Sequence, residues 1–338
     1  LFKFSDYITV NDYSTTTKYE QIAKQIIDLI RKGVLYKGQK LPPINVAYKE
    51  LGISRDTLIA AYKELQANKI IESVHGKGFY ITLSTSLQKK KIFLLFDVMN
   101  GYKEVLYQSM VQELGTSFET DIYFHYYNLK LFEKLIHENS GYYDHYVIMP
   151  HFNVDVSAIV RKIPLNKLFI IDKPIPQFKE VPTVFQDFEN DVFTALDNCI
   201  AHLKRYNTLC MMVNRDFQFI PDGILLGFER FCKKNNIKHL YIENIANHNI
   251  KQGEAYICFT DHDLVNIIKF TQQNGLKLGT DIGLISYDDT PLKEILSNGI
   301  TVMTTDFDTM GKTVANMIKN NKRGKIANPF RLILRNSL

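Results

Sequence analysis

The sequence predicts an α/β protein in two parts. A winged helix-turn-helix over residues 1–83 is joined by a linker over 84–91 to a two-lobed α/β body over 92–338. Three observations predict this. Residues 54–83 read as a Ser-capped amphipathic helix running into a two-stranded hairpin tipped by His-Gly-Lys-Gly. Positive charge is local: residues 1–91 hold 15 Lys and Arg against 8 Asp and Glu, whereas the remaining 247 residues hold 26 against 28. From Ile92 onward, short apolar runs alternate with helical segments, the pattern of a parallel sheet with crossover helices.

In the head, Tyr19, Ile22, Ala23, Ile26, Leu29 and Ile30 recur at helical spacing between Thr17 and Lys32, and Gly33 stops that helix. Gly38, Pro42 and Pro43 punctuate the next segment, before a short helix over Ile44–Leu51 ended by Gly52. Ser54 is a good N-cap for the third helix. Leu58, Ala61, Tyr62 and Leu65 make its core stripe, leaving Arg55, Asp56, Ile59 and Lys63 outward. Helix, short helix, turn, helix and hairpin is the order of a winged helix-turn-helix, whose third helix lies in a major groove.

The linker, STSLQKKK, is polar and basic. Beyond it, the runs IFLLFDV, DIYFHYY, HYVIMP and KLFIID alternate with helices near 103–118, 129–138 and 154–162. The cycle restarts with a helix near 191–204, strand TLCMMV, a helix over 224–235, strands HLYIE and AYICFT, a helix over 262–275 and strand IGLISY. Two αβ lobes in tandem leave a cleft at the carboxyl ends of their strands, where doubly wound folds bind ligands.

A chain of 338 residues that is 45% hydrophobic is long enough for two packed domains and too apolar to be disordered. No apolar run reaches about 18 residues, and the start, LFKFSDYITV, lacks the order of a secretory signal. A cytoplasmic protein without membrane contact is expected. Cys199, Cys210, Cys232 and Cys258 form no Cys-x-x-Cys and no Cys/His cluster, so buried free thiols, no metal and no cofactor are expected. A basic head on a near-neutral body fits a polyanion-binding unit attached to one that binds a different ligand.

The first 83 residues resemble the DNA-binding domain of the GntR family of bacterial transcription regulators. The shared residues are Tyr19-x-Gln21-Ile22, Gly38-x-Lys40-Leu41-Pro42, Ser54-Arg55-x-Thr57 with Ala61 and Leu65, and the Gly76-x-Gly78-Phe79 wing. The resemblance breaks after Pro42, where the family usually carries Ser-Glu-Arg and this chain has Pro43-Ile44-Asn45. Residues 92–338 are similar to the effector domain of the LacI family, which has a periplasmic-binding-protein-like fold. That series comprises Phe96-Asp97 to Tyr102, Asp187 with His202-Leu203, Gly227-Phe228, Phe259-Thr260-Asp261, Gly279 to Asp289, Thr304-Thr305 with Gly311, and Leu332 to Ser337. A GntR-type head on a LacI-type body implies an arabinose-repressor-like regulator.

For DNA, Arg55 is the first choice for a base or phosphate contact, since its planar fork can be bidentate; pairing with Asp56 is the plainer alternative. Ser54 and Thr57 suit phosphate bonding or helix capping, and Lys63 the backbone. At the wing tip, Gly76 allows close approach while His75 and Lys77 can enter the minor groove; equally, the glycines serve only the turn. Lys18 and Lys40 are further phosphate partners. Asn45 stands where the family has a DNA-touching arginine.

In the cleft, the resemblance implies that Asp288 binds ligand hydroxyls, with Asp261 beside it; the plainer roles are a cap at Asp261 and a turn at Asp289. Asp97, Asn100 and Tyr102 follow the first strand, His151 follows HYVIMP, and Asp172 with Lys173 follows KLFIID. An arginine that the family carries three residues before Gly-Phe is Ile224 here. Either Arg215 or Lys173 replaces that donor, or the ligand is less polar on that side.

These readings imply a homodimer on operator DNA, a repressor of a carbohydrate-utilisation operon released by a monosaccharide or sugar phosphate. Activation, and a body that only dimerises, stay open. An enzyme is disfavoured. No pyridoxal-bearing lysine segment is evident, and Asp288 and Asp289, adjacent on one strand, point apart instead of flanking a bond.

Overall fold

The computed structural model describes residues 3–12, 14, 16–82, 89–214 and 219–338. The chain divides into two compact units on either side of the Lys89–Lys90 bond. The smaller holds α1 (Lys18–Arg31), α2 (Ile44–Glu50), α3 (Arg55–Ala67) and the antiparallel hairpin β1 (Ile71–Val74) and β2 (Gly78–Ile81). Ile22, Ile26 and Ile30 of α1 meet Leu58, Tyr62 and Leu65 of α3 in one buried cluster, as the helical spacing predicts. Each such side chain contributes about 1.5–3 kcal/mol on burial. Tyr62 joins the elements: its hydroxyl donates to Pro42 O at 2.8 Å, and its ring meets Phe79 of β2 edge-on at 4.8 Å.

The larger unit begins one step earlier than the sequence suggests. Lys90 and Lys91, expected at the end of the linker, open strand β3 (Lys90–Phe96). Residues 84–88 of that linker, with residue 83 before it, lie outside the described residues. Then follow α4 (Gly101–Leu114), β4 (Phe118–Phe124), α5 (Leu129–Asn139), β5 (His145–Ile148), α6 (Ser157–Val160), β6 (Leu168–Asp172), β7 (Thr183–Phe185), α7 (Phe188–Asn198) and α8 (Ile200–Leu203). The remainder is β8 (Thr208–Met212), α9 (Asp222–Asn235), β9 (His239–Ile242), β10 (Glu254–Cys258), α10 (Asp261–Gln273), β11 (Gly283–Tyr287), α11 (Pro291–Ile295), β12 (Thr301–Thr305), α12 (Phe307–Lys319), β13 (Lys325–Ala327) and β14 (Phe330–Ile333).

Three expected helices are shorter. The helix near 103–118 ends at Leu114, because Gly115 turns left-handed at φ +70° and Phe118 enters β4. That near 154–162 shrinks to α6, since Asp155 accepts the Ser157 N–H (2.8 Å) and starts the turn late. The 191–204 helix divides at Cys199, whose N–H bonds Leu196 O instead of the carbonyl four residues back.

One lobe carries a parallel sheet in the order β13-β7-β6-β5-β3-β4. The other is ordered β14-β12-β11-β10-β8-β9, with only β14 antiparallel. The lobes are interlaced, not strictly in tandem as expected. The chain crosses between sheets after β7, after β12 and after β13. Helix α12 therefore packs on the first lobe, with Met310 and Val314 against Leu106 and Met110 of α4. Among the described residues no helix is long and apolar enough to cross a membrane.

Asn328 ties the three crossings. Its N–H donates to Phe185 O (2.7 Å), and its Nδ2 donates to Thr305 Oγ1 (2.7 Å) and Asp306 O (2.9 Å). Asn328→Ala keeps the backbone bond to Phe185 O but takes the Nδ2 donor from Thr305 Oγ1 and Asp306 O. Urea denaturation is expected to give a loss of about 1–3 kcal/mol, with the larger unit's transition shifted and the head's unchanged.

Candidate functional site

Asp97 and His151 follow the carboxyl ends of β3 and β5, and Asp172 is the last residue of β6. Strand order reverses at β3, with β4 on one side and β5 on the other, the switch point at which open α/β sheets bind ligands. From the other lobe, Asp288 follows β11 and Phe259 follows β10. Asp97, Tyr102, His151, Asp172 and Asp288, all expected at the site, line one cavity of about 40 Å³.

The first lobe's wall is a buried charge network. Asp97 and Lys103, both about 1% exposed, form an ion pair, and the Val98 N–H donates to the same carboxylate oxygen at 2.7 Å. The other Asp97 oxygen lies 2.8 Å from His151 Nδ1. His151 Nε2 approaches Asp172 Oδ2 at 2.9 Å, close enough for an ion pair but not aligned as a hydrogen bond. Gln186 Nε2 donates to the remaining Asp172 oxygen. Burial favours a neutral Asp97, yet His151 and Lys103 outweigh it and hold the carboxyl well below its usual range. Burial also opposes charge on His151, but Asp97 and Asp172 hold its pKa above the ordinary value. His151 thus bridges two acids with both ring nitrogens, and its ring stacks on Phe219 at 4.9 Å.

Asp288 is different. It is 7% exposed, sits in a left-handed conformation (φ +61°), and its Oδ1 has no hydrogen-bond partner. The backbone is clamped: Asp288 N–H donates to Met303 O (2.8 Å), and buried Lys293 donates to the carbonyls of Tyr287 (3.0 Å) and Asp288 (2.9 Å). Burial first, then Asp172, pushes its pKa up to about 7, against the opposing charge of Lys293. Neighbouring Asp289 is occupied in a two-pronged pair with Arg335 at 2.9 and 2.8 Å.

The opposite wall is apolar: Phe188, Phe219, Pro221, Ile224 and Phe259. Tyr102 stacks on Phe307 at 4.6 Å, and Tyr287 packs against Phe259 at 5.2 Å. Ile224 is buried where an arginine was the comparison, and Lys173 does not replace it. The Lys173 ammonium donates to Phe152 O, lies 5.2 Å from the Phe219 ring centre, and does not line the cavity. Arg215 lies outside the described residues.

Two other expected site residues do not line the cavity. Asn100 is the N-cap of α4, accepting the Lys103 N–H at 3.2 Å. Asp261 has a side chain 79% exposed at the first turn of α10, where Thr260 is the cap. Sequence reasoning missed Tyr127, Gln186, Phe188, Phe219 and Phe307. Tyr127 was legible only as part of the run HYY, and Gln186 only as the residue before Asp187.

On the head, Ser54 Oγ accepts the Thr57 N–H at 3.1 Å and lies 2.7 Å from Thr57 Oγ1, so both hydroxyls are engaged in the cap. Arg55 makes no ion pair with Asp56, and its side chain is exposed, as are Asn45 and Lys63. His75, Gly76 and Lys77 form the exposed tip of the hairpin, closed by Lys77 N–H to Val74 O at 2.9 Å, with Gly76 at φ +71°. Lys40 lies along the wing, its Cε 3.0 Å from where a Cβ on Gly78 would stand. Lys18 pairs with Asp12 at 2.5 Å.

The titration of the cleft has a defined sign. A His151 pKa raised by folding contributes stability fully below the ordinary 6.5 and loses it as pH rises through the folded value. Asp288, raised from 3.8 to about 7, takes up a proton on folding in that window, so its charge opposes the fold above it. Asp288→Asn is expected to be stabilising by on the order of 2–4 kcal/mol at about pH 8 and nearly neutral at about pH 4, read by urea denaturation without ligand.

Comparison with known proteins fits this division. The family model described as bacterial regulatory proteins, gntR family, matches residues 18–81, and that of a periplasmic binding protein-like domain matches residues 202–338. The HTH-type transcriptional repressor YtrA of Bacillus subtilis is 34% identical over 104 residues, 31% of this chain and 76% of that protein. The HTH-type transcriptional regulator GalR of Streptococcus thermophilus is 22% identical over 260 residues, 66% of this chain and 77% of that protein. A LacI family transcriptional regulator from Lactobacillus casei, solved with bound glucose, shares the fold with a TM-score of 0.59 at 15% identity, covering 73% of this chain and 99% of its own. The helix-turn-helix match and the relative aligned over three quarters of its length place the chain: it belongs to the gntR family of DNA-binding bacterial regulatory proteins and carries a LacI-type, periplasmic-binding-protein-like body.

Proposed function

We propose that the protein is a ligand-released repressor that binds a two-fold operator as a homodimer and is switched by a neutral monosaccharide in the cleft between its lobes. The observation that carries this reading is the buried Asp288 oxygen without a partner, set in a cavity with one polar and one aromatic wall. A sugar hydroxyl is a fitting donor to that oxygen, and the C–H face of a pyranose fits the aromatic side. Among the described residues no Lys or Arg lines the cavity, which favours an uncharged sugar over a sugar phosphate. Ile224 on the apolar wall favours a ligand with few hydroxyls there. At about 40 Å³ the cavity has room for a few waters, so on this reading even a monosaccharide enters only with the lobes further apart. The glucose-bound solved relative supports a sugar as the effector class.

On DNA, Arg55 at the start of α3 is the base or phosphate reader, with Ser54, Thr57 and Lys63 along the same helix, Asn45 on α2, Lys40 along the wing, and the His75–Lys77 tip toward the minor groove. Ligand binding that favours one arrangement of the lobes shifts the dimer away from half-sites about one helical turn apart.

Calorimetry of the full chain with a panel of monosaccharides and sugar phosphates tests the effector. Binding of a neutral sugar, lost about 100-fold or more in Asp288→Ala, is expected. Absence of any binding would favour a body that serves dimerisation alone, and turnover would indicate an enzyme. For the head, Arg55→Ala is expected to abolish operator retardation in a gel shift while ligand binding stays unchanged. Unaltered retardation would contradict the assignment.

A further inference from the structure

Strands β8 and β10 run side by side in parallel, with Cys210 opposite Tyr256. Glu254 lies two residues before Tyr256 and so shares its face of the sheet. The segment after β9 brings His248 over that face. One donor atom each from Cys210, His248 and Glu254 thereby lies within 4.8 Å of the other two. Cys210 and Glu254 are buried, and the His248 ring is 19% exposed.

The spacing is informative. His248 Nε2 stands 3.4 Å from both Glu254 Oε2 and Tyr256 OH, outside the usual range of a hydrogen bond. It is near the edge of about 3.3–3.5 Å that separates two N or O ligands around a tetrahedral cation with bonds of about 2.0–2.1 Å. Tyr256 OH donates to Glu254 Oε2, as does the Lys251 N–H at 3.1 Å, so the carboxylate is oriented by outer partners as a metal-binding acid is. Ile242, Ile245, Ile250 and Leu264 close an apolar shell around the group.

We propose that Cys210, His248 and Glu254 bind one divalent transition cation of the zinc type, at a site separate from the effector cleft. A thiol, an imidazole and a carboxylate together suit a borderline cation such as Zn²⁺ and do not suit Ca²⁺ or Mg²⁺, which take oxygen ligands. Coordination converts the Cys210 thiol to thiolate and releases its proton to solvent. The fourth position is left to water or to the Tyr256 hydroxyl. The cation would pin the loop between β9 and β10 to the sheet of the second lobe. No Cys/His motif announces the group, because strand pairing, not chain spacing, assembles it.

The test uses the chelator-stripped full chain titrated with Co²⁺ and then Zn²⁺. One equivalent per chain is expected, with the near-ultraviolet absorption of a thiolate bound to Co²⁺, lost on Zn²⁺ addition, and a higher thermal midpoint with either ion. Cys210→Ser should abolish the thiolate absorption, His248→Ala should weaken binding about 100-fold or more, and Cys232→Ser should change neither. Wild-type protein without the thiolate band, or a band that survives in Cys210→Ser, would overturn the proposal. Should Cys210→Ser fail to fold, His248→Ala decides: binding as tight as wild type refutes the site.

Discussion

The larger unit depends on three chain crossings held at one residue. Asn328 reaches Phe185 in the first crossing and Thr305 and Asp306 in the second, and itself stands in the third. Asp306 N–H returns a bond to Pro329 O at 2.9 Å, which closes the group. Neither lobe is a continuous stretch of sequence, since α12 and β13 belong with the first lobe while β14 pairs with β12 of the second. Two lobes joined by three short tethers can change their relative angle without breaking either sheet. A cleft between them is therefore adjustable where each wall is rigid.

The polar wall owes that rigidity to charge. Asp97 is fully used by Lys103, Val98 and His151, and Asp172 is divided between His151 and Gln186. A buried ion network of this kind gives little net stability, but loss of one member strands the rest at about 3–5 kcal/mol. Its value lies in arrangement: it holds the His151 ring in place at the cavity. Asp97, which reads from sequence as a ligand contact, has both oxygens committed to Lys103, Val98 and His151, whereas His151 Nε2 meets Asp172 by charge alone, without a hydrogen bond.

The head was legible because local rules govern it. The i, i+3, i+4, i+7 stripe of α3, the Ser54 cap and the glycine turn at Gly76 act over a few residues each, and all are present. The alternation of strands and helices from Ile92 to Tyr287 was legible for the same reason. What escaped was whatever depends on contacts far apart in the chain. The interlacing of the lobes rests on Asn328 meeting Phe185. The placement of Gln186 beside Asp172 needs β6 paired with β7, in which Asp172 stands opposite Phe185. Asp261 stands outside the cavity because a carboxylate just after a strand can equally face solvent from a helix's first turn, as it does here. Asn100 likewise does not line it, its side chain being taken by the cap of α4.

The contrast between Asp97 and Asp288 separates structure from recognition. Both are carboxylates buried after a strand, yet one is lowered and the other raised in pKa, because Lys103 and His151 stand against the first and nothing binds the free oxygen of the second. Folding has compensated the buried charge at Asp97 and left that at Asp288 uncompensated. Any group that donates to Asp288 recovers part of that desolvation. On the proposed reading, a sugar hydroxyl supplies that donor. The apolar wall at Ile224 then limits how many further hydroxyls the ligand can bring, so selectivity rests on one strong acceptor and on shape. A site of this kind discriminates by leaving Asp288 unsatisfied when the wrong epimer enters, and the same unsatisfied oxygen is what makes the empty cleft costly to keep closed.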